Sequence, residues 1–431
     1  MGLPSQVKKR DGSLVPFDEK KIVRAIQRAA YEVLMDDKKS HEVAHAVAKA
    51  VLERIAKDYV ERPPSVEDIQ DIVEDILMET GYRSVARSYI LYREEHQDIR
   101  RVKVIYGVRD DLKLPINTLL VLKKRYLLKD DDQHVIESPR ELFQRVARAV
   151  SEAEKAFPFK ERKEEVEEAF FRMMSRLEFM PNSPTLMNAG TPLGQLSACF
   201  VLPVADSMEG IFEALQHMAR IHQTGGGTGF DFSHLRPKGD LVATTKGRAS
   251  GPVSFMSIFN QATGVIVQGG RRRGANMGIL RCDHPDIEDF VEAKLEEGAF
   301  ANFNLSVGIT DAFMEATQKN EAFALINPRT GTKARSVRAG ALFDLIVYSA
   351  WRSGDPGLVF LDEINRHNPT PQLGRIEATN PCGEIPLLPY ESCNLGSIDV
   401  SKFVKNGQLD WGALDRIIRW GVRFLDDVIE V

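Results

Sequence analysis

The chain has 431 residues, 43% of them hydrophobic, enough for two or three domains with a substantial core. Its 57 basic and 62 acidic residues leave a net charge of −5, which excludes a global field that would gather nucleic acid or an anionic membrane surface. No apolar run approaches the roughly 18 residues of a membrane-spanning helix. The opening "MGLPSQVKKRDG" has no apolar stretch behind its charges to act as a secretory leader, and Gln6 stands where a myristoylation signal needs Ser or Thr. Four cysteines, at 199, 282, 382 and 393, fit a reducing cytoplasm in so large a chain, and no CxxC or Cys/His spacing predicts structural zinc.

In chain order, "VKKRDGSLVPFDEKK" reads as two short strands around a turn at Asp11-Gly12. A helix follows, capped by Asp18 and carrying Ile22, Ile26 and Ala29 at helical spacing. A second helix is predicted over 40–58. A third begins at Ser65 with Asp68 three residues on and stops near Gly81. A fourth carries Val85, Tyr89 and Tyr92 on one stripe and runs to about 104. Residues 105–180 continue helical, with Ser138-Pro139 opening one helix. Beyond "MPNSPTLMNAGTPLG" the texture changes. Strands such as "ACFVLPVAD", "ANFNLSVGI" and "GLVFLDEI" alternate with helices near 207–223, 252–267, 285–297 and 340–353, which predicts an α/β sheet or barrel. Three domains are expected, over 1–104, 105–180 and 181–431.

Three stretches carry chemistry. "TGGGTGFDFSHLRPKGD" (224–240) is glycine-rich and reads either as a loop whose backbone N–H groups approach a phosphate or sugar, or as a tight turn beside a strand. "QGGRRRGANMG" (268–278) sets Arg271, Arg272 and Arg273 between glycine pairs, as a nucleotide clamp or as a solvated basic loop. "ATNPCGEIPL" (378–387) reads as extended because Pro381 discourages helix in the residue before it. Alternation would put Asn380, Cys382 and Glu384 on one face. A carboxylate beside a thiol disfavours the thiolate, and a protonated thiol suits loss of a hydrogen atom. Cys282, in "ILRCDHPDI", reads as a core residue.

Together with "VKKRDGSLVPFDEKKI", "NSPTLMNAG", "SACFVLPVADSMEGI", "GRASGPVSFM" and "ESCNLGSI", these stretches resemble the large catalytic subunit of ribonucleotide reductase, and most of all its class II, adenosylcobalamin-dependent branch. The blocks occur in family order across nearly the whole chain. The resemblance implies an N-terminal ATP-cone that binds ATP or dATP, then the first part of a ten-stranded α/β barrel, incomplete in this chain. It implies that Cys382 is the transient thiyl radical on a finger loop and abstracts the ribose 3′ hydrogen. Glu384 then resembles the base for the 3′-hydroxyl and Asn380 the amide that holds it. Cys199 and Cys393 resemble the pair that delivers two electrons and ends as a disulfide. Substrate contacts are implied for Ser183, Thr185, Ala198, Gly227, Asn380, Pro381 and Gly383. A deoxynucleotide effector is implied at Asp206, Ser207, Met208 and Arg236, with 240–250 and 269–276 as the relaying loops. In the cone, Lys9, Arg10, Val15 to Lys21 and the helix end around Leu91 match nucleotide-binding positions.

The chain reaches "RFLDDVIEV" soon after the finger cysteine, whereas the family's catalytic chain is far longer. A complementary C-terminal chain is therefore expected to complete the barrel, in a split or intein-interrupted reductase that is a homodimer when whole. Thioredoxin or glutaredoxin is the implied reductant, and the substrate is a ribonucleoside di- or triphosphate. Two other readings remain: a class I large subunit served by a di-metal small subunit, and a catalytically inactive nucleotide sensor. A sensor needs none of the three reactive cysteines, and Glu384 beside Cys382 speaks against the anaerobic reductases.

Overall fold

The computed structural model describes residues 3–9, 14–60, 62–93, 112–157, 162–242, 246–266 and 274–431. The chain folds as two compact units, Met1–Arg109 and Asp110–Val431.

In the first unit, β1 (Gln6–Lys8) pairs antiparallel with β2 (Leu14–Pro16) ahead of α1 (Glu19–Leu34), α2 (Asp37–Asp58), α3 (Val66–Glu79) and α4 (83–93). The start signals in the sequence act as local chemistry dictates. The Asp18 carboxylate accepts from Lys20 N–H at 3.1 Å. Ser65 and Asp68 cap each other reciprocally, at 3.0 and 2.8 Å, to open α3. Ile22, Ile26 and Ala29 are buried against Val47, Val51, Ile55, Ile76 and Leu77, the core of this unit. Val85 and Tyr89 join that core, whereas Tyr92 is 40% exposed. The turn at Asp11-Gly12 and the stretch expected to extend α4 to 104 lie outside the described residues.

The second unit opens with α5 (Ile116–Arg125), α6 (Pro139–Val150), a 3-10 turn (Ser151–Ala156) and α7 (Lys163–Ser175). Ser138 and Glu141 cap α6 reciprocally at 3.3 and 2.7 Å. Then come β3 (Phe179–Pro181), α8 (Ser183–Asn188), β4 (Cys199–Pro203), α9 (Met208–Thr224), β5 (Gly227–Asp231), α10 (Pro252–Val265), β6 (Asn276–Arg281), α11 (Ile287–Val291) and β7 (Phe303–Ile309). These are followed by α12 (Asp311–Lys319), the hairpin β8 (Ala322–Ile326) with β9 (Lys333–Arg338), α13 (Ala339–Ser353), β10 (Gly357–Phe360) and α14 (Leu361–Arg366). The last elements are β11 (Ala378–Thr379), β12 (Pro386–Leu387), β13 (Ser392–Cys393), β14 (Gly396–Ile398), the pair β15 (Val404–Lys405) and β16 (Gln408–Leu409), and α15 (Trp411–Glu430). The helix expected over 285–297 is only Ile287–Val291, with turns after it.

One six-stranded sheet orders these strands β10-β7-β6-β5-β4-β13. β4, β5, β6, β7 and β10 are parallel and lie in chain order, while β13 runs antiparallel beside β4. A doubly wound sheet would reverse direction at a switch point. Here the order never reverses, so the crossovers stack on one face and the sheet curls as part of a barrel. Side chains alternate accordingly. Leu202, Phe230, Leu280, Leu305 and Val307 pack with Phe259, Phe290 and Phe313 under the helices, and Val201, Met277, Ile279 and Val359 face the other way with Ala378. Cys282 is fully buried in the first cluster, its thiol pushed up to about 11 by burial, as a core residue should be.

Helix α15 docks through Phe424, which stacks edge-on with Phe170 and Phe179. Beside it Arg423 grips Glu154 with two bonds, at 2.6 and 2.7 Å, and Asp427 is fully buried. Burial, then the neighbouring Glu154 carboxylate, push Asp427 up to about 7, with Arg423 opposing and Asp426 adding. A raised carboxyl stabilises the fold while both states are protonated and loses that contribution as pH climbs from the usual carboxylate range through about 7. Asp427→Asn should therefore lose less melting temperature than the parent between about pH 5 and about pH 8. Parallel melting curves for the two proteins would contradict this.

Candidate active site

The sheet's inner face is assembled here from four strands in register. Val201, Gly229, Met277 and Asn304 stand side by side on β4 to β7, and Cys199 stands beside Gly227 one step below. Onto this row folds the hairpin β11–β12. Its Thr379 carbonyl lies directly over Gly229: a methyl there would stand 2.9 Å from the carbonyl carbon and overlap the oxygen. Pro381 covers Gly227, where a methyl would come 2.6 Å from its ring. Asn304 Nδ2 donates to the Pro381 carbonyl at 2.7 Å. Of the four glycines of "GGGTGFD", Gly225 makes a tight turn that ends α9 beside the strand, the second of the two readings, while Gly227 and Gly229 lie in a fully buried strand where their missing side chains make room for this protein's own hairpin.

The hairpin corrects a second expectation. Residues 380–383 are a turn, not an extended strand: Gly383 N–H donates to the Asn380 carbonyl at 3.1 Å, and Gly383 has φ 83°. Asn, Pro and Gly at the first, second and fourth positions are the residues such a turn favours, a signal present in the sequence. Asn380, Cys382 and Glu384 consequently do not share one face. Asn380 is fully buried, with Oδ1 accepting from Ile385 N–H at 3.1 Å and Nδ2 directed at Cys199 Sγ at 3.5 Å. Cys382 and Glu384 are exposed at the tip.

Cys199 and Cys393 are direct partners across the β4–β13 ladder, and Ala198 N–H donates to the Cys393 carbonyl at 2.8 Å. Antiparallel partners have α-carbons about 4.5–5.5 Å apart, inside the range a disulfide spans without backbone movement. A hydrogen bond with Cys199 is the largest influence raising the Cys393 thiol, followed by burial and the charges of Cys199 and Glu384. Cys393 therefore keeps its proton at neutral pH.

The remaining expected site residues divide. Ser183 begins α8, its hydroxyl 2.9 Å from Tyr126 Oη. The preceding Asn182 N–H donates to the Leu395 carbonyl at 2.8 Å, which ties this helix to the strand leading from Cys393. Thr185 is turned inward, its hydroxyl bonded to Asn182 and to the Leu196 carbonyl. Ser207 caps α9 by accepting from Gly210 N–H at 3.0 Å, and Met208 is exposed. Arg236 reaches back to Asp206 through Nε at 2.9 Å, so all four effector positions meet at the start of α9. The 240–250 segment is anchored by Asp240, whose carboxyl the Arg329 guanidinium holds far below the usual range. Residues 243–245 and 267–273, including Arg271–Arg273, lie outside the described residues, as does Arg10. Lys9 and Lys21 are exposed in the first unit. No helix among the described residues is long and apolar enough to cross a membrane.

Sequence reasoning missed one cluster. At the C-terminal end of β5, Asp231 faces His234 and Glu377, and Glu377 Oε2 lies 2.8 Å from His234 Nε2. Those residues are 143 positions apart, and no local spacing announces them.

Residues 197–431 match the ribonucleotide reductase barrel domain, 112–194 the ribonucleotide reductase all-alpha domain and 5–98 the ATP cone domain. Among curated proteins, the chain is 51% identical over 430 residues to a vitamin B12-dependent ribonucleoside-diphosphate reductase of Mycobacterium tuberculosis (strain CDC 1551 / Oshkosh), covering 99% of this chain and 61% of that one. A protein of the same description from Thermoplasma acidophilum is 48% identical, with 99% and 62% covered. The ribonucleoside-diphosphate reductase large chain of Schizosaccharomyces pombe is 29% identical, with 72% and 41% covered. The chain thus spans about three fifths of the length of the first two relatives. With a barrel match covering more than half its residues, on a sheet that winds in one direction around a cysteine-tipped hairpin, the chain belongs to the ribonucleotide reductase family.

Proposed function

We propose that these residues carry the thiol chemistry of a vitamin B12-dependent ribonucleotide reductase, with Cys382 as the hydrogen-abstracting sulfur and Cys199 and Cys393 as the reducing pair. The observation that carries this reading is the Asn380 side chain: it links the hairpin bearing Cys382 to the sulfur of Cys199, which is itself paired with Cys393. The chemistry balances. Loss of the 2′-hydroxyl as water consumes two electrons and two protons, and two thiols that become one disulfide supply both. Cys393, held protonated, is suited to give the proton to the departing hydroxyl. Glu384 would accept the 3′-hydroxyl proton, and Asn380 would hold the sugar oxygen.

Exposure of Cys382 at the hairpin tip meets the one demand a radical-generating group makes of this chain, an approachable sulfur. Adenosylcobalamin, when bound, would supply the acceptor for that hydrogen atom. Ribonucleoside diphosphate is the substrate class named for the relatives. Asp206, Ser207, Met208 and Arg236 would take a deoxynucleotide effector, and Lys9 and Lys21 would serve ATP or dATP in the cone. Because the relatives extend well beyond the matched region, full turnover is assigned to these residues together with the remaining barrel strands, supplied by a complementary chain or a continuation of this one, with a thioredoxin-type reductant.

The test is Cys382→Ser in that completed enzyme. Deoxyribonucleotide formation should fall to background, while a thiol oxidant still joins Cys199 to Cys393. Undiminished turnover would remove the assignment.

A further inference from the structure

We propose that Asp231, His234 and Glu377 form a binding site for one divalent transition-metal ion, with Zn2+ the best-matched, at the root of the finger hairpin. The proposal does not depend on the radical chemistry above. One imidazole nitrogen and two carboxylate oxygens lie within 4.8 Å of one another, alone in this respect among the described residues. Asp231 ends β5 and is 94% buried. Its Oδ1 accepts from the Ser233 N–H at 3.0 Å and from the Ser233 hydroxyl, which fixes the carboxylate plane. Its Oδ2 is buried without a hydrogen-bond partner and is aimed at His234 Nε2, 3.7 Å away. Glu377 closes the triangle from the other side, immediately before β11.

An orphaned, buried carboxylate oxygen is costly unless something positive or hydrogen-bonding approaches it. The Arg281 guanidinium is occupied by Asp283 at 2.7 Å. Two carboxylates and a neutral imidazole carry the charge that one divalent ion neutralises, and mixed nitrogen and oxygen donors suit Zn2+. Tetrahedral metal bonds of about 2.0–2.2 Å would set the ligand atoms about 3.4 Å apart, so the His234–Glu377 edge, now 2.8 Å, opens and the Asp231–His234 edge, now 3.7 Å, closes slightly. A cavity of about 350 Å³, lined by Val201, Pro203, Ala205, Ala378 and Pro389 as well as the three ligands, leaves room for the ion and water. Since Asp231 belongs to β5 and Glu377 leads into the hairpin, the ion would pin the hairpin's root to the sheet, a positioning role away from the reacting thiols.

The reduced 431-residue chain, stripped with a chelator, is titrated with Zn2+ by calorimetry and with Co2+ as a visible-absorption probe. We expect one equivalent bound, a Co2+ spectrum without a sulfur charge-transfer band, and a rise in melting temperature on metal addition. Affinity should fall at least about tenfold in His234→Gln and in Glu377→Gln, and remain unchanged in the Cys199→Ser, Cys393→Ser double variant. Glu377 is only half-buried, so its variant keeps the test open should His234→Gln fail to fold. No binding of either ion, or binding that survives both substitutions, or binding lost with the cysteines would each overturn the proposal, leaving His234 and Glu377 as an ion pair.

Discussion

Gly229→Ala should lift the finger hairpin off the sheet and destabilise the second unit by more than the about 1–3 kcal/mol of an ordinary overpacked methyl. The reason is what the methyl meets. At most crowded glycines the obstruction is a side chain that can turn aside, but at Gly229 it is the Thr379 carbonyl group, backbone held in the β11–β12 ladder. Displacing Thr379 drags Asn380 away from Cys199, so the same substitution should leave Cys382 without its position relative to the pair. Gly227→Ala overlaps the Pro381 ring, with the Ala275 carbonyl at an ordinary contact distance of 3.4 Å, and should cost less. Gly357→Ala, whose methyl would come 3.1 Å from the Ser306 hydroxyl, should cost less than either. Chemical unfolding of the three variants gives the order directly. A Gly229→Ala protein as stable as its parent would mean that the hairpin is not seated on β5.

The second large effect concerns electrons. In the completed enzyme, Cys393→Ser should reduce deoxyribonucleotide formation to background, even with prereduced protein and no external reductant. A hydroxyl can share a hydrogen bond with Cys199 but cannot form the disulfide that releases two electrons. The fold has little reason to respond: Cys393 meets Ala198 through its carbonyl, which serine keeps, and its side chain is only partly buried. Melting temperature should stay near the parent's while turnover disappears. Product formed at the parental rate would take Cys393 out of the reducing pair. A collapse of stability would show that its thiol holds β13 in place.

Much of the fold was legible because its signals are local. Asp18, Ser65 and Ser138 announce helix starts within three residues of the bonds they make, and the apolar strands 199–203 and 303–309 stand out as largely buried parallel strands do, while 357–360, at the sheet's edge, buries only Val359. β5 was not legible, because its glycines answer to a backbone segment some 150 residues later; a rule about neighbours reads them as a loop. The finger turn was misread for a different reason. Pro381 alone points to extended chain, whereas Asn380 before it and Gly383 after it complete a turn signature. The opposition of Cys199 to Cys393 came from family resemblance alone, since register between distant strands leaves no mark in either. The Asp231, His234 and Glu377 triangle left none at all.

The long separation between the two halves of the site also has a kinetic meaning. Asn380 and Cys199 are 181 residues apart, while β5, β6 and β7 each pair with the strand before them in the sequence and β10 pairs with β7 across one hairpin. On a ribosome delivering about 5–20 residues per second, Cys199 therefore waits about 10–40 s for its amide to emerge. The sheet can grow one crossover at a time during that interval, and the hairpin and β13 close over it last. A nascent polypeptide that stops between β10 and the hairpin has its five parallel strands but lacks Cys382, so the proposed thiol chemistry waits on the order of translation itself.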